Sequence, residues 1–576
     1  MKLFLHSQRY LLQLCWFFGL THRLHRIYRS CRSRLNQKLR ESWVRTAELN
    51  QRIQSRINEQ ETQDKRFLSL IAPTGQESKR TALLVHSLSI SALPLEAALC
   101  WALQKAGYDV VVLSSREGDK PTAYFRHIGV RHFISWEDIS LPMETRLARN
   151  RTPAITTPKE LFDHEFNGIQ TGRYATSTAL KALRIGSLQL SARKFAKLVI
   201  PCLEESIFFA AMAPRLLSMV NPSLIISQDV GYTPRGQLFN LALNRGIDTI
   251  TWNNGHKDNT LILKRYSRNN AAVHPASLSD ASWLNLREMQ WTNKHRQQLL
   301  KELESSYSDG SWYSEVGTHF QSHLHSLDEV KKKLALNPKK KTAVIFSHMF
   351  WDATFFYGED LFEHYQDWFI RTVEAACKND RLNWIIKVHP GNVVKNKRIG
   401  IGIGAEQALE IQALDREIQD LPQHVKLMVP ETDISTFSLY QVTDYALTVR
   451  GTIGIEAAAL GIRVLTAGTG RYDQKGFTID SESSQDYLER LSRLDKIPKM
   501  TDTERELAER FAYGVFIRRP LQLSTIRLGS HRDETASPNI KITAKTASEW
   551  TSATDMIELY QWIMSADEDY LSQVRR

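Results

Sequence analysis

Residues 383–392, NWIIKVHPGN, and residues 444–472, DYALTVRGTIGIEAAALGIRVLTAGTGRY, are two apolar segments that each end in a polar corner. Each reads as a buried strand that carries small, charged or dipolar groups to its C-terminal end. In an open parallel α/β sheet that end is where ligands sit. In the second segment residues 444–449 form the strand and Arg450-Gly451 the turn. A helix then starts near Thr452, carries Gly454 in its first turn and stops at Gly461. Such a helix start aims free N–H groups and a positive dipole end at an anion, most often a phosphate. The stretch therefore predicts a nucleotide or phosphate site.

Working outward, residues 342–348 open the same sheet. A helix over 360–377, the strand 384–388, a helix over 406–420 and the strand 425–429 continue it. An earlier β-α-β unit runs through TALLVHS (81–87), a helix over 95–106 and the strand 109–113, a spacing that points to a parallel sheet. The pattern resumes at 223–229, with a helix over 235–245 and the strand 248–252. These later strands end in polar tips, at Asp229 and at NNGHK (253–257). Between the two β-α-β units residues 140–220 read as helix, with Pro201 dividing the run 188–220.

The predicted fold class is α/β, with two Rossmann-like lobes, an N-terminal basic amphipathic helical arm and a helical C-terminus. The expected boundaries are arm and connector over 1–75, a first lobe for the acceptor over 76–275 and a helical connector over 276–340. A donor-nucleotide lobe over 341–500 and C-terminal helices over 501–576 follow. Two similar lobes facing a shared cleft is the layout of the GT-B glycosyltransferases, and other two-lobed α/β proteins share it.

The chain has 576 residues and a formal net charge of +12, but residues 1–40 hold nine Lys or Arg and no Asp or Glu. The rest is close to neutral, which argues against a broad nucleic-acid surface. The apolar run 11–20 is too short to span a bilayer, which takes about 20 residues. Trp16, Phe17 and Phe18 followed by five arginines suit a helix lying on an anionic membrane. A transit peptide and a helix packed on the body are the other readings. The expected location is cytoplasmic, peripheral on the inner face of the membrane. Five scattered cysteines suggest neither zinc nor disulfides and fit a reducing compartment.

Lys387 and His389-Pro390 end one strand, where an imidazole can hold a donor phosphate and stabilise the leaving group. Arg450 offers a fork for an oxyanion, Gly451 and Gly454 allow close backbone approach, and Thr452 can cap the helix or bind phosphate. Glu456, one turn in, can accept both hydroxyls of a ribose or can balance the helix dipole. The loop holding Gly468, Gly470 and Tyr472 can line a sugar pocket or be an ordinary turn. A general base for the acceptor would come from the first lobe, with His256 and Asp229 preferred over His86. Asp352 and Glu359 can also face the cleft. No metal site is expected: Asp567-Glu-Asp569 reads as surface charge, and no His/Asp/Glu cluster has ligand spacing.

IIKVHP followed by TVRGTIGIEAAALGIRVLTAGTGRY resembles the donor lobe of the capsule polysaccharide biosynthesis family, bacterial GT-B enzymes that include Kdo transferases. SHMFWDATFFYGEDLF (347–362) resembles a subgroup of it. The resemblance covers roughly residues 340–475 and extends to 80–270 only as a layout. It implies that His389, Pro390, Arg450, Gly451 and Thr452 bind the donor nucleotide phosphate. The family's corner is often serine-rich where this one is RGT. The expected function is metal-independent transfer of a sugar from a nucleotide-activated donor, a co-substrate rather than a cofactor. The acceptor would be a surface or capsular polysaccharide or a lipid-linked glycan. The alternatives are a CDP-alcohol polyol-phosphate transferase, a nucleotide-sugar epimerase and a non-catalytic membrane-tethered scaffold.

Overall fold

The computed structural model describes residues 80–87, 92–114, 125–126, 128–139, 155–308, 312, 324–352, 355–391, 408–527 and 541–572. The basic arm and connector expected over 1–75 lie outside the described residues. Two parallel sheets organise the rest. The first contains β1 (Arg80–Val85), β2 (Tyr108–Leu113), β3 (His132–Ile134), β4 (Leu224–Ser227), β5 (Asp248–Asn254) and β6 (Thr260–Tyr266). The second contains β7 (Thr342–Phe346), β8 (Asn383–Lys387), β9 (Val425–Met428), β10 (Tyr445–Thr448), β11 (Arg463–Thr466) and β12 (Thr478–Asp480). A strand from the C-terminal segment, β13 (Leu521–Gln522), pairs antiparallel with β6 and closes the first sheet.

The strand orders are β3-β2-β1-β4-β5-β6-β13 and β9-β8-β7-β10-β11-β12. The second sheet is parallel throughout, and the first is parallel from β3 to β5. Both orders reverse once, between β1 and β4 and between β7 and β10, which opens a crevice at the carboxyl ends of those strands. The sequence dictates the centre of each sheet. TAVIF, NWIIK and YALT are buried at every position, as strands covered by helices on both faces must be. The two-lobed Rossmann-like architecture read from the sequence is the one found.

Three segments sit where the sequence reading did not place them. The helix Ile200–Val220 carries Pro201 in its first turn, where a missing N–H costs nothing, so the proline divides the run as expected. Its first half, Cys202, Leu203 and Ile207, packs in the core of the second lobe with Ile345 and Trp384. Its second half, Phe209, Met212 and Leu216, packs under the first sheet with Leu83 and Ile225. The helices Asp280–Glu288, Asn293–Ser308 and Leu327–Lys333, expected as a connector, instead bury Trp283, Leu286, Leu299, Leu303 and Val330 against Val344, Ile385 and Ala446. They are one face of the second lobe.

At the other end of the chain the helix Asp502–Tyr513 shares that core. A π-helical turn, Gly514–Arg518, then crosses to β13, and Trp550, Met556 and Leu559 pack on the first sheet with Trp101. The segment expected as surface charge is buried there. Asp569 is 4% exposed. It lies 2.9 Å from Lys264 Nζ, pairs with Arg519 and accepts from the Ser279 N–H at 2.6 Å. Burial raises its carboxyl, but Arg519 and Lys264 outweigh that and hold it down at about 2. It ties the crossover to β6 and to the N-cap of the helix Asp280–Glu288.

Candidate functional site

The switch point between β7 and β10 brings Ser347-His348 beside Arg450-Gly451-Thr452. His348 Nε2 accepts from the Val449 N–H at 3.1 Å and lies 3.0 Å from Thr448 Oγ1. That bond assigns the ring proton to Nδ1. Burial, then the neighbouring His389, Arg450 and Arg471, push the His348 imidazole down to about 3, so it stays neutral. Just past β8, the His389 N–H donates to Ser347 Oγ at 2.9 Å and His389 Nδ1 accepts from Gly391 N–H at 3.0 Å. Ser347 in turn donates to Glu410 Oε1 at 3.1 Å. The HP turn is therefore fixed from behind by a buried carboxyl, which burial raises to about 7.

The helix Thr452–Ala459 starts where expected. Its N-cap is Gly451, in extended backbone, and no side chain caps it, which leaves its dipole end facing the crevice. Gly461, at φ +84°, follows its C-cap. Thr452 is not the cap: it is the first helical residue, and its hydroxyl accepts from Arg471 Nη2 at 2.8 Å. The Arg450 fork is also partly spent, on Asp360 and on the Glu359 carbonyl at 3.1 Å. Its Nε and Nη1 are buried without a hydrogen-bond partner. Arg471, which the sequence reading passed over, donates from Nη1 to the Arg450 carbonyl at 3.0 Å and leaves Nε unpartnered.

Lys387 is 4% exposed and its Nζ has no partner, so burial alone pushes it down to about 8. Glu456 takes Tyr307 and Tyr440 hydroxyls on the same oxygen, Oε2, the latter at 3.1 Å. Burial raises it, and those hydroxyls oppose the rise.

Two adjoining cavities, of about 570 and 510 Å³, share His348, His389, Asp352, Gly451, Thr452 and Arg471 as a common wall. The inner one lies within the second lobe and adds Lys387, Pro390, Glu456, Tyr307 and Trp312. The outer one lies between the lobes and adds Lys181, Asp229, Asn253, His256 and His274. The tips of β4 and β5 thus reach the same cleft as the second-lobe corner. Asp229 pairs with Lys181 at 3.3 Å. His256 stacks edge-on against Trp312 at 4.3 Å, and its Nε2 is unpartnered. Burial, then Lys257 and Arg471, push it down to about 3.

Three expected donor contacts are not on these walls. Tyr472 is 1% exposed and donates to the Gly451 carbonyl at 2.9 Å, supporting the corner from below. Gly454 faces that tyrosine: a Cβ there would lie 2.2 Å from its hydroxyl. Gly470, at φ +89°, packs against Gly358. Of the other first-lobe candidates, His86 is buried against Glu96 and away from the cleft. Glu359 lines a separate cavity. Among the described residues no three His, Cys, Asp or Glu side chains converge on a metal position, and no helix is long and apolar enough to cross a membrane.

Residues 293–502 match the capsule polysaccharide biosynthesis protein family. The match contains the second sheet through β12, the packed helices Asn293–Ser308 and Leu327–Lys333, and the whole inner cavity. It bears out the resemblance carried by the HP and RGT corners. Among solved structures, the beta Kdo 2,4 transferase KpsC of Thermosulfurimonas dismutans is 15% identical, covers 59% of this chain and 87% of its own, and has a TM-score of 0.31. The beta Kdo 2,7 transferase KpsC of the same organism is 13% identical over 61% and 89%, with a TM-score of 0.31. The UDP-GlcNAc 2-epimerase of Methanocaldococcus jannaschii is 12% identical over 75% and 97%, with a TM-score of 0.26. No curated protein matches the chain.

Proposed function

We propose that this protein is a glycosyltransferase that moves a sugar from a nucleotide-activated donor to a polysaccharide or lipid-linked acceptor, without a metal ion. One observation supports this above the others. Lys387 Nζ, Arg450 Nε and Nη1, and Arg471 Nε are all buried and unpartnered on the walls of one crevice. Leaving such donors dry costs about 1–3 kcal/mol each, more for charged ones. An anion that lodges at the uncapped helix start satisfies several at once.

In this reading the nucleoside occupies the inner cavity, with its ribose at Glu456 and its phosphate between Lys387, His389 and the Gly451-Thr452 turn. The sugar lies in the outer cavity. There Asp229 takes the proton of the attacking acceptor hydroxyl. His256, neutral at any physiological pH, hydrogen-bonds substrate rather than moving a proton. His389, whose Nδ1 is occupied by Gly391 N–H, presents Nε2–H to the departing phosphate oxygen, and Arg471 adds fixed positive charge.

The test is titration of the full chain with CMP-, CDP- and UDP-activated donors, followed by transfer assays. Binding of one class, with the sugar moved to the acceptor hydroxyl and the nucleotide released, supports the reading. A chain that binds none of them is a scaffold. Association with anionic membranes through residues 1–40 is part of the same proposal. Removing them should release the protein from vesicles while donor binding persists.

A further inference from the structure

A third cavity, of about 550 Å³, lies outside the donor cleft, between the helices Pro158–Phe162 and Thr171–Leu183 and the loop following β7. That is the range of small-molecule sites. Phe162, Phe355 and Phe362 supply aromatic wall, with Phe162 and Phe355 edge-to-face at 5.1 Å. Arg173 lies 5.0 Å over the Phe162 ring and donates to the Phe355 carbonyl at 3.3 Å. Thr176 also lines the cavity. It is 7% exposed, and its Oγ1 has no hydrogen-bond partner.

The cavity adjoins the donor cleft through one ion pair: Asp360 lines this cavity, and its partner Arg450 lines the other. The wall between them is braced. Glu359 N–H donates to Thr469 Oγ1 at 2.8 Å, and Thr469 N–H returns a bond to the Glu359 carbonyl at 2.9 Å. Gly358, at φ +85°, touches Thr469 so closely that a Cβ would lie 2.2 Å from its carbonyl.

We infer that this cavity binds a neutral saccharide, as a segment of the acceptor glycan held away from the transfer point. The charge of the lining decides the class. Lys159 and Arg173 face Asp163, Glu359, Asp360 and Glu363, so carboxylates outnumber cations and repel a phosphate or an acidic sugar. A hydrocarbon chain would leave the Thr176 hydroxyl and the Arg173 guanidinium dry. A pyranose ring presents apolar C–H faces to the phenylalanines and hydroxyl edges to Thr176, Arg173 and Asp360. The saccharide class rests on this lining alone, and its role as acceptor rests on the transferase reading.

The experiment is saturation-transfer NMR on the full chain with maltose, cellobiose and N,N′-diacetylchitobiose, against sodium decanoate and glucuronate. At least one disaccharide should bind at about millimolar affinity. Ser187→Trp, which puts an indole on a half-buried part of the lining, should weaken it about tenfold or more. Thr176→Val should weaken it about fivefold without lowering the melting temperature, because the lost hydroxyl had no partner. Neither variant should alter nucleotide affinity. The inference is overturned if none of the three disaccharides binds, if binding survives Ser187→Trp, or if decanoate or glucuronate binds in preference. Nucleotide titration of the same samples separates the two readings. Saccharide binding without nucleotide binding would leave the cavity standing and remove the transferase. The reverse would do the opposite.

Discussion

Replacing Lys387 with methionine should make the empty protein more stable and a poorer nucleotide binder. The side chain is 4% exposed with no partner for its ammonium, and burial takes it from 10.5 to about 8. Each tenfold change in proton affinity is worth about 1.4 kcal/mol, so a charged Lys387 costs the fold roughly 3 kcal/mol. The sign follows from linkage. Between about 8 and 10.5 the unfolded chain still holds the proton that the folded chain has lost, so wild-type stability rises with pH across that window. Methionine fills a similar volume without a charge. Its advantage should be complete at pH 7 and should fade toward pH 10.5. Differential scanning fluorimetry at pH 7 and 10 reads this as a melting-temperature gain of several degrees that shrinks at the higher pH. Nucleotide affinity at pH 7 should fall about tenfold to a hundredfold, the worth of one charge-assisted hydrogen bond. A variant that melts lower than wild type at pH 7, gains equally at both pH values, or binds nucleotide unchanged would refute the reasoning.

The remaining predictions concern groups that support the corner. Glu410 is raised by burial from 4.5 to about 7, so the folded protein keeps a proton that the unfolded chain loses, and stability falls as pH rises through that window. Glu410→Gln should abolish this fall and add about 3 kcal/mol above pH 7, read by denaturant titration at pH 5 and 8. Gly454→Ala would place a Cβ 2.2 Å from the Tyr472 hydroxyl and break its bond to the Gly451 carbonyl. It should cost about 1–3 kcal/mol and weaken nucleotide binding in isothermal titration. Asp569→Asn leaves Arg519 buried beside a neutral group and Lys264 with Glu568 alone of its two carboxylates, which should cost about 3–5 kcal/mol in a thermal melt.

The two sheets were legible because their central strands are short, mostly apolar runs, and the second-lobe corner because a glycine turn and a helix start follow one of them. What escaped the reading is a matter of partners distant in sequence. Tyr472 looks like a pocket aromatic in GTGRY, but its ring is buried under Gly454, and only a fold shows that. Arg471, beside it, was passed over because its neighbours suggested a flexible loop. Instead it clamps Arg450 and Thr452. The helices Asp280–Glu288 and Asn293–Ser308 read as a polar connector because each buries only a narrow stripe. A stripe of leucine and tryptophan is enough once a sheet lies beneath it. The helix Ile200–Val220 serves both lobes, and periodicity says that such a helix is buried without saying against what.

Lys264 and Lys387 show how function can be separated from packing in this chain. Both are lysines within strands, 0% and 4% exposed. Lys264 meets Glu568 at 2.6 Å and Asp569 at 2.9 Å, and its charge is consumed in fastening the C-terminal segment to the first sheet. Lys387 meets no carboxylate and faces an open cavity. A buried ammonium without a counter-ion is a standing loss for the folded state. A fold shaped by stability alone would have removed it by any apolar substitution of similar size. Its presence beside an uncapped helix start, together with Arg471 and His389, is intelligible if a ligand supplies the missing negative charge. The same reasoning predicts where a phosphate should not bind: the third cavity carries more carboxylates than cations, so an anionic ligand should be directed to the second-lobe corner and kept out of that cavity.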